Sequence, residues 1–110
     1  MTSLPDLDPI IRAAARLKVV ATLGALSEGD QISFPRLQQL LGLTAGNLSV
    51  HLRKLEDAGY VGVVKTHQGR TPATFLALTR TGRRALEDYT AALRELLTPP
   101  PVVSMTQPRG

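Results

Sequence analysis

The chain has 110 residues, with 13 lysines and arginines, nine acidic residues and no cysteine. This length supports one hydrophobic core, so we expect a single domain. The lack of cysteine excludes a disulfide framework, a thiolate metal site and a thiol redox sensor. No apolar run approaches the roughly 20 residues of a membrane helix, and we expect a cytoplasmic protein.

Positive charge is concentrated in one part of the sequence. Between residues 44 and 84, seven cations accompany two anions, a net charge of +5, whereas the remainder carries −1. The total of +4 permits a polyanionic partner without demanding one. The local excess is the electrostatic footprint expected of a nucleic-acid-binding surface.

The first predicted element is a helix from Pro9 to about Ala25, preceded by a flexible N-terminus over residues 1–8. Asp8 supplies a capping carboxylate in front of a proline at the first helical position. Apolar residues cover more than one side of this helix. We therefore expect a second face to contact a partner subunit.

The next two helices lie close together in the sequence. After a very short strand at Gln31–Ser33, Ser33 is the candidate N-cap of a helix that ends at Gly42. Thr44 is the candidate N-cap of the following helix, residues 44–58, and Gly59 ends it. That helix buries a stripe of leucines, Leu48, Leu52 and Leu55. Two helices joined so closely predict a helix-turn-helix.

The opposite side of the helix 44–58 carries side chains suited to a major groove. Asn47 could pair with adenine, Arg53 with guanine or a phosphate, and Val50 could contact a thymine methyl. The alternative is an ordinary solvated helix face, but the helix-turn-helix context and the local charge favour DNA contact. The predicted contacts from this helix and its cap are Thr44, Asn47, Ser49, Val50, Arg53 and Lys54.

Two stretches rich in β-formers, residues 60–66 and 74–79, predict a hairpin. Their linker contains glycine and proline, so we expect an irregular tip and a DNA-contacting wing over residues 66–72. Arg70 at the tip either blunts an exposed turn or contacts the DNA backbone or narrow minor groove; Gly69 favours close approach and hence the second role. Lys65 is a further candidate contact.

The last helix is predicted to start after Thr79 or Thr81 and to end near Leu97, before a disordered proline-containing tail over residues 98–110. Its stripe needs a cover, and with the first helix it predicts a two-fold dimer interface. Three arginines at its start would fit either phosphate contacts or ion pairs with an acidic residue of a neighbouring helix: Arg80, Arg83 and Arg84. The predicted dimer residues are Ile10, Ile11, Ala14, Leu86, Tyr89, Leu93 and Leu96.

The order of elements predicts an α+β, mainly α fold: a winged helix-turn-helix over residues 9–97 with a two-stranded wing and an added C-terminal dimerisation helix. The stretch Asn47–Val61, the pair Gly69-Arg70 and the segment Leu78–Arg83 resemble the small winged-helix transcriptional regulators of the MarR and ArsR type. The likeness is greatest to the single-domain MarR-like group, with matching motifs over residues 44–86. The resemblance implies a homodimer that places one recognition helix per subunit in successive major grooves of double-stranded DNA.

We therefore predict a sequence-specific DNA-binding regulator, acting as a repressor. The alternative is a winged helix that has lost DNA binding and serves as a protein-interaction module. A small-molecule effector would need an apolar cavity between the winged domain and the dimer helices, and this question stays open. The pattern indicates no catalytic residues and no cofactor. His51 and His67 are too isolated to predict a metal site, and His51 is expected to be a packed or capping residue.

Overall fold

The computed structural model of the protein describes residues 6–98. Within them the chain forms four helices and three strands, which confirms the predicted winged-helix fold. Residues 1–5 of the predicted flexible N-terminus and residues 99–110 of the predicted disordered tail lie outside the described residues. The elements are α1 (Ala14–Gly24), β1 (Ile32–Ser33), α2 (Phe34–Leu41), α3 (Ala45–Asp57), β2 (Val61–Gln68), β3 (Thr71–Leu78) and α4 (Arg80–Leu96).

One hydrophobic core joins the helices to the sheet. The strands are antiparallel in the order β1-β3-β2, and the central strand β3 contacts α1, α2 and α4. The fully buried aliphatic side chains come from four of the elements and from the segment before α1: Ile11, Val19, Val20, Leu23, Leu37, Leu48, Leu55 and Leu76. The leucine stripe of α3 is thus anchored in the core, which leaves the opposite side of this helix to solvent.

The first helix starts later than the sequence pattern predicts. Asp8 does act as a cap, since its Oδ1 accepts from the backbone N–H of Ile10 at 2.8 Å, but the turn it caps is not continued. Ala13 has extended backbone angles and separates that turn from α1, which begins at Ala14. The break directs Ile11 into the core, where its side chain is completely buried.

The caps of the helix-turn-helix are those predicted. The hydroxyl of Ser33 accepts from a backbone N–H in the first turn of α2, and Gly42 ends α2 in the left-handed conformation. Thr44 Oγ1 accepts from the backbone N–H of Asn47 at 3.1 Å. Gly59 adopts a φ of 80° after α3, a value that glycine reaches at little cost. The sequence-encoded caps therefore fix where α3 begins and where the chain turns after it.

The wing is longer and more regular than predicted. β2 and β3 pair continuously from Val61 with Leu78 to Gln68 with Thr71. Only Gly69 and Arg70 form the turn, so the expectation of an irregular tip is corrected. Gly69 has a φ of 66°, and no non-glycine residue among those described has a positive φ. This combination is that of a type II′ turn, whose twist matches that of the flanking strands.

The start of α4 is fastened to the junction between α3 and β2. Thr79, rather than Thr81, is the N-cap: its Oγ1 accepts from the backbone N–H of Gly82 at 2.9 Å and donates to the carbonyl of Gly59 at 2.6 Å. A Cβ on Gly82 would collide with the Tyr60 carbonyl oxygen and lie 2.8 Å from its carbonyl carbon. Only glycine lets α4 approach the junction this closely.

The same junction is tied to the beginning of the described chain. The Tyr60 hydroxyl donates to Asp8 Oδ2 at 2.5 Å. This hydrogen bond to a carboxylate, together with burial and the negative charge of Asp8, raises the pKa of Tyr60 to about 12. The end of α3, the start of β2 and the turn before α1 are therefore held together by named polar contacts.

Candidate nucleic-acid interface

The predicted DNA-contacting side chains of α3 and its cap all lie exposed on the surface. Val50 is 55% exposed although it is apolar. At 100° per residue, Val50 and Arg53 project away from the core opposite Leu48. Asn47 and Lys54 lie on one flank of that outward line, and Ser49 lies on the other. The core explains the leucines of α3 but none of these outward side chains.

Charge is distributed unevenly along α3. Its only cations, Arg53 and Lys54, follow a segment without acidic residues, and its only acids, Glu56 and Asp57, lie at the C-terminal end. Helix-turn-helix proteins insert the N-terminal part of the recognition helix into the groove. The N-terminal part of α3 therefore presents no negative charge to a phosphate backbone.

A cleft between α3 and the wing brings predicted contacts from the two elements together. Ser49 and Arg53 line its helix side and Lys65 lines its strand side, with Glu56 also present. The structure thus places Lys65 next to α3, which sequence spacing alone could not establish. Arg70 lies further along the hairpin, at about 3.4 Å per strand residue, and is exposed at its tip.

The arginines around the start of α4 make contacts within the fold. Arg83 Nη1 donates to the carbonyl of Gly24 at 3.4 Å and so caps the C-terminal end of α1. Arg84 Nε lies 3.7 Å from Asp88 Oδ1 in an exposed pair within α4. Neither contact is an ion pair with a neighbouring helix, which the sequence had left open: Arg83 binds a backbone carbonyl, and the partner of Arg84 lies on α4 itself. Arg80 borders a cleft that also contains Glu28 and Asp30.

The residues predicted for a dimer interface divide into two groups. Ile11 is 0% exposed and Tyr89 is 6% exposed within the single chain, so both are corrected to core residues. Their spacing could not separate an inner from an outer helix side. Leu97 was missed, although it is 71% exposed beside the end of α4. The predicted residues that retain accessible surface are Ile10, Ala14, Leu86, Leu93 and Leu96.

The two histidines do not meet. His67 is exposed on β2, whereas His51 is half-buried on α3 and its Nδ1 has no hydrogen-bond partner among residues 6–98. Packing rather than capping therefore describes His51. In the described part of the chain, no three histidine, cysteine or acidic residues gather where they could hold a metal ion. None of the described helices combines the length and apolarity needed to cross a membrane.

A helix-turn-helix with an outward-facing second helix and a two-stranded wing defines the winged-helix class of DNA-binding domain. Comparison with known families agrees: the profile described as a winged helix DNA-binding domain matches residues 15–97. The chain belongs to this family of winged helix DNA-binding domains.

Three known proteins are similar to this chain in sequence or in structure. An uncharacterized protein of Methanocaldococcus jannaschii is 33% identical over 87 residues, which cover 79% of this chain and 91% of that protein. A transcriptional regulator homologue from Pyrococcus horikoshii OT3 has a similar structure, with a TM-score of 0.72, 28% identity and coverage of 80% of this chain and 84% of that one. AbsC, a MarR family transcriptional regulator from Streptomyces coelicolor, shares the fold with a TM-score of 0.57 and 20% identity, over 82% of this chain and 63% of AbsC.

Proposed function

We propose that this protein is a homodimeric, sequence-specific DNA-binding transcriptional regulator that represses by occluding a promoter. The observation that carries the proposal is the outward side of α3. Asn47, Val50 and Arg53 are exposed there, and no contact within the described fold accounts for them. The proposal includes no catalytic step, in keeping with the regulator class to which the similar structures belong.

In the proposed complex, the N-terminal part of α3 lies in the major groove. The amide of Asn47 can make a bidentate pair with adenine, and Val50 can contact a thymine methyl. Arg53 can pair with guanine or hold a phosphate. Thr44, Ser49 and Lys54, on the flanks and cap, would contact the backbone and set the orientation of the helix.

The wing supplies the contacts that α3 cannot. Lys65 and Arg53 line the same cleft, together with one acidic residue, Glu56, so the cleft offers two cations from helix and strand to a phosphate. Arg70 supplies a further cation at the hairpin tip, where Gly69 adds no side-chain bulk. An arginine at a narrow tip suits the adjacent backbone or the negative potential of a narrow minor groove.

A second subunit is part of the proposal because one copy offers few cations to DNA. Accessible apolar surface remains near both ends of the described chain, at Ile10, Ala14, Leu93 and Leu96. A two-fold contact through the turn before α1, α1 itself and α4 would bury this surface and present two copies of α3. Two half-sites about one helical turn, roughly 34 Å, apart would then be read together.

Selection of bound duplexes from a random library tests this function directly. We expect a two-fold symmetric consensus bound by two chains, which sedimentation of the protein–DNA complex can count. Arg53→Ala should weaken binding and relax preference at one position of each half-site, at a cost of about 1–3 kcal/mol for a bidentate base contact. Arg84→Ala is the matched control, because this exposed arginine already pairs with Asp88.

The repressor role needs a separate measurement. A reporter whose promoter overlaps the selected site should be expressed less when the wild-type protein is present, and Arg53→Ala should restore expression. Failure to enrich any sequence would contradict DNA recognition. Enrichment without repression of the reporter would contradict only the proposed mode of regulation.

A further inference from the structure

Gly46 stands apart from the other glycines that the structure describes. Four adopt positive φ angles at turns, Gly24 and Gly82 allow close packing, and a Cβ on Gly62 would lie 3.9 Å from the Ala77 carbonyl oxygen across the sheet. Gly46 has none of these reasons: its φ is not positive, and a Cβ built on it meets no atom within 4 Å. Glycine is a poor helix former compared with alanine, so the fold gains nothing from this choice.

The position of Gly46 shows where the missing side chain matters. It lies in the first turn of α3, between the Thr44 cap and Asn47, and it is exposed. Val50 is four residues further on and Arg53 seven, so all three follow the same outward line of the helix. Gly46 is thus the N-terminal member of the row formed by the side chains with the greatest capacity to read bases.

We infer that Gly46 is a positioning residue for DNA: its bare backbone lets the N-terminal end of α3 enter the groove deeply enough for Asn47 and Val50 to reach base edges. A side chain here would meet the DNA before either neighbour could. The inference rests on the proposed function and names the feature of α3 that sets its depth in the groove. It also explains why a helix-weakening residue occupies an otherwise unconstrained site.

The test compares Gly46→Ala and Gly46→Val with the wild type on the selected duplex. We expect affinity to fall about tenfold or more for alanine, which corresponds to about 1.4 kcal/mol, and further for valine. The melting temperature of Gly46→Ala should equal or exceed that of the wild type, because alanine favours the helix. Asp57→Glu is the control: it adds one methylene to the exposed side of α3 at the opposite end, and should leave affinity unchanged.

The outcomes separate the inference from the function on which it rests. If Gly46→Ala binds like the wild type while Arg53→Ala is weakened, the role of Gly46 is refuted and DNA recognition stands. If affinity and melting temperature fall together, disruption of the helix replaces steric exclusion as the cause, and the inference is also overturned. A wild-type protein that binds no duplex refutes both.

Discussion

Removing Arg70 from the wing tip should change the salt dependence of DNA binding in a predictable way. The side chain lies exposed in a two-residue turn and makes no hydrogen bond or ion pair within the described part of the chain. Arg70→Ala should therefore leave the fold intact. If each subunit places Arg70 on a phosphate, a dimer loses two phosphate contacts.

The magnitude follows from counterion release. Each neutralised phosphate of B-DNA contributes about −0.9 to the slope of log K against log salt, so the slope should become shallower by about 1.8. As salt rises from about 0.05 M to about 0.2 M, the ratio of the wild-type binding constant to that of Arg70→Ala should fall about 12-fold. A residue that only blunts the turn would leave the slope unchanged.

Fluorescence anisotropy with a labelled duplex, titrated at a series of KCl concentrations, measures this slope. Arg84→Ala removes the same charge from an exposed site paired with Asp88, and its slope should match the wild type. Arg70→Lys keeps the charge and should restore most of the slope. Parallel lines for the wild type and Arg70→Ala would refute a phosphate role, and an equal change in Arg84→Ala would point to overall charge instead.

The remaining predictions concern the junction and the cap that hold α3. Tyr60→Phe should lower the free energy of unfolding by about 1.5 kcal/mol, because it removes a hydrogen bond to a carboxylate at a partly exposed site. The folded state raises the pKa of Tyr60 from 10.0 to about 12. The difference in unfolding free energy between the wild type and Tyr60→Phe should therefore be complete below pH 10 and disappear between pH 10 and 12. Denaturant melts at several pH values measure this difference. Gly82→Ala should cost roughly 1–3 kcal/mol in the same assay because its Cβ collides with Tyr60, and no destabilisation would contradict the close packing. Thr44→Ala should cost about 1 kcal/mol through loss of the cap, whereas Thr44→Ser should retain it.

Local signals predicted the helix-turn-helix well because each one has a direct physical cause. A hydroxyl at Thr44 satisfies an otherwise unpaired N–H, and the glycines at 42 and 59 adopt left-handed angles cheaply. The leucine period of α3 identified its buried side, and hence the exposed side proposed to read DNA. These features depend on residues within one or two turns of each other, so they can be read from the sequence.

The errors arose where distant contacts decide the outcome. The helix predicted from Pro9 is interrupted at Ala13, and the break places Ile11 in the core, a burial that periodicity alone could not reveal. Tyr89 on α4 was likewise predicted to lie in a dimer interface, because periodicity could not reveal that its side chain packs into the core. Strand propensity also underestimated the wing, since pairing in register extends order through residues such as Pro72 that disfavour strands.

The division of α3 into two sides has a consequence for how recognition and stability are related. Leu48, Leu52 and Leu55 fix the helix in the core, while the outward residues have no packing role. Under the proposed function, changes on the outward side should therefore alter DNA preference with little cost in folding. The orientation of that side depends on the junction after α3. There the Thr79 hydroxyl donates a hydrogen bond to the Gly59 carbonyl, and the Tyr60 hydroxyl donates one to the Asp8 carboxylate. A substitution that removes either hydrogen bond should therefore weaken the proposed DNA binding without changing which bases are preferred, which titrations of the selected duplex and of base-substituted duplexes can measure.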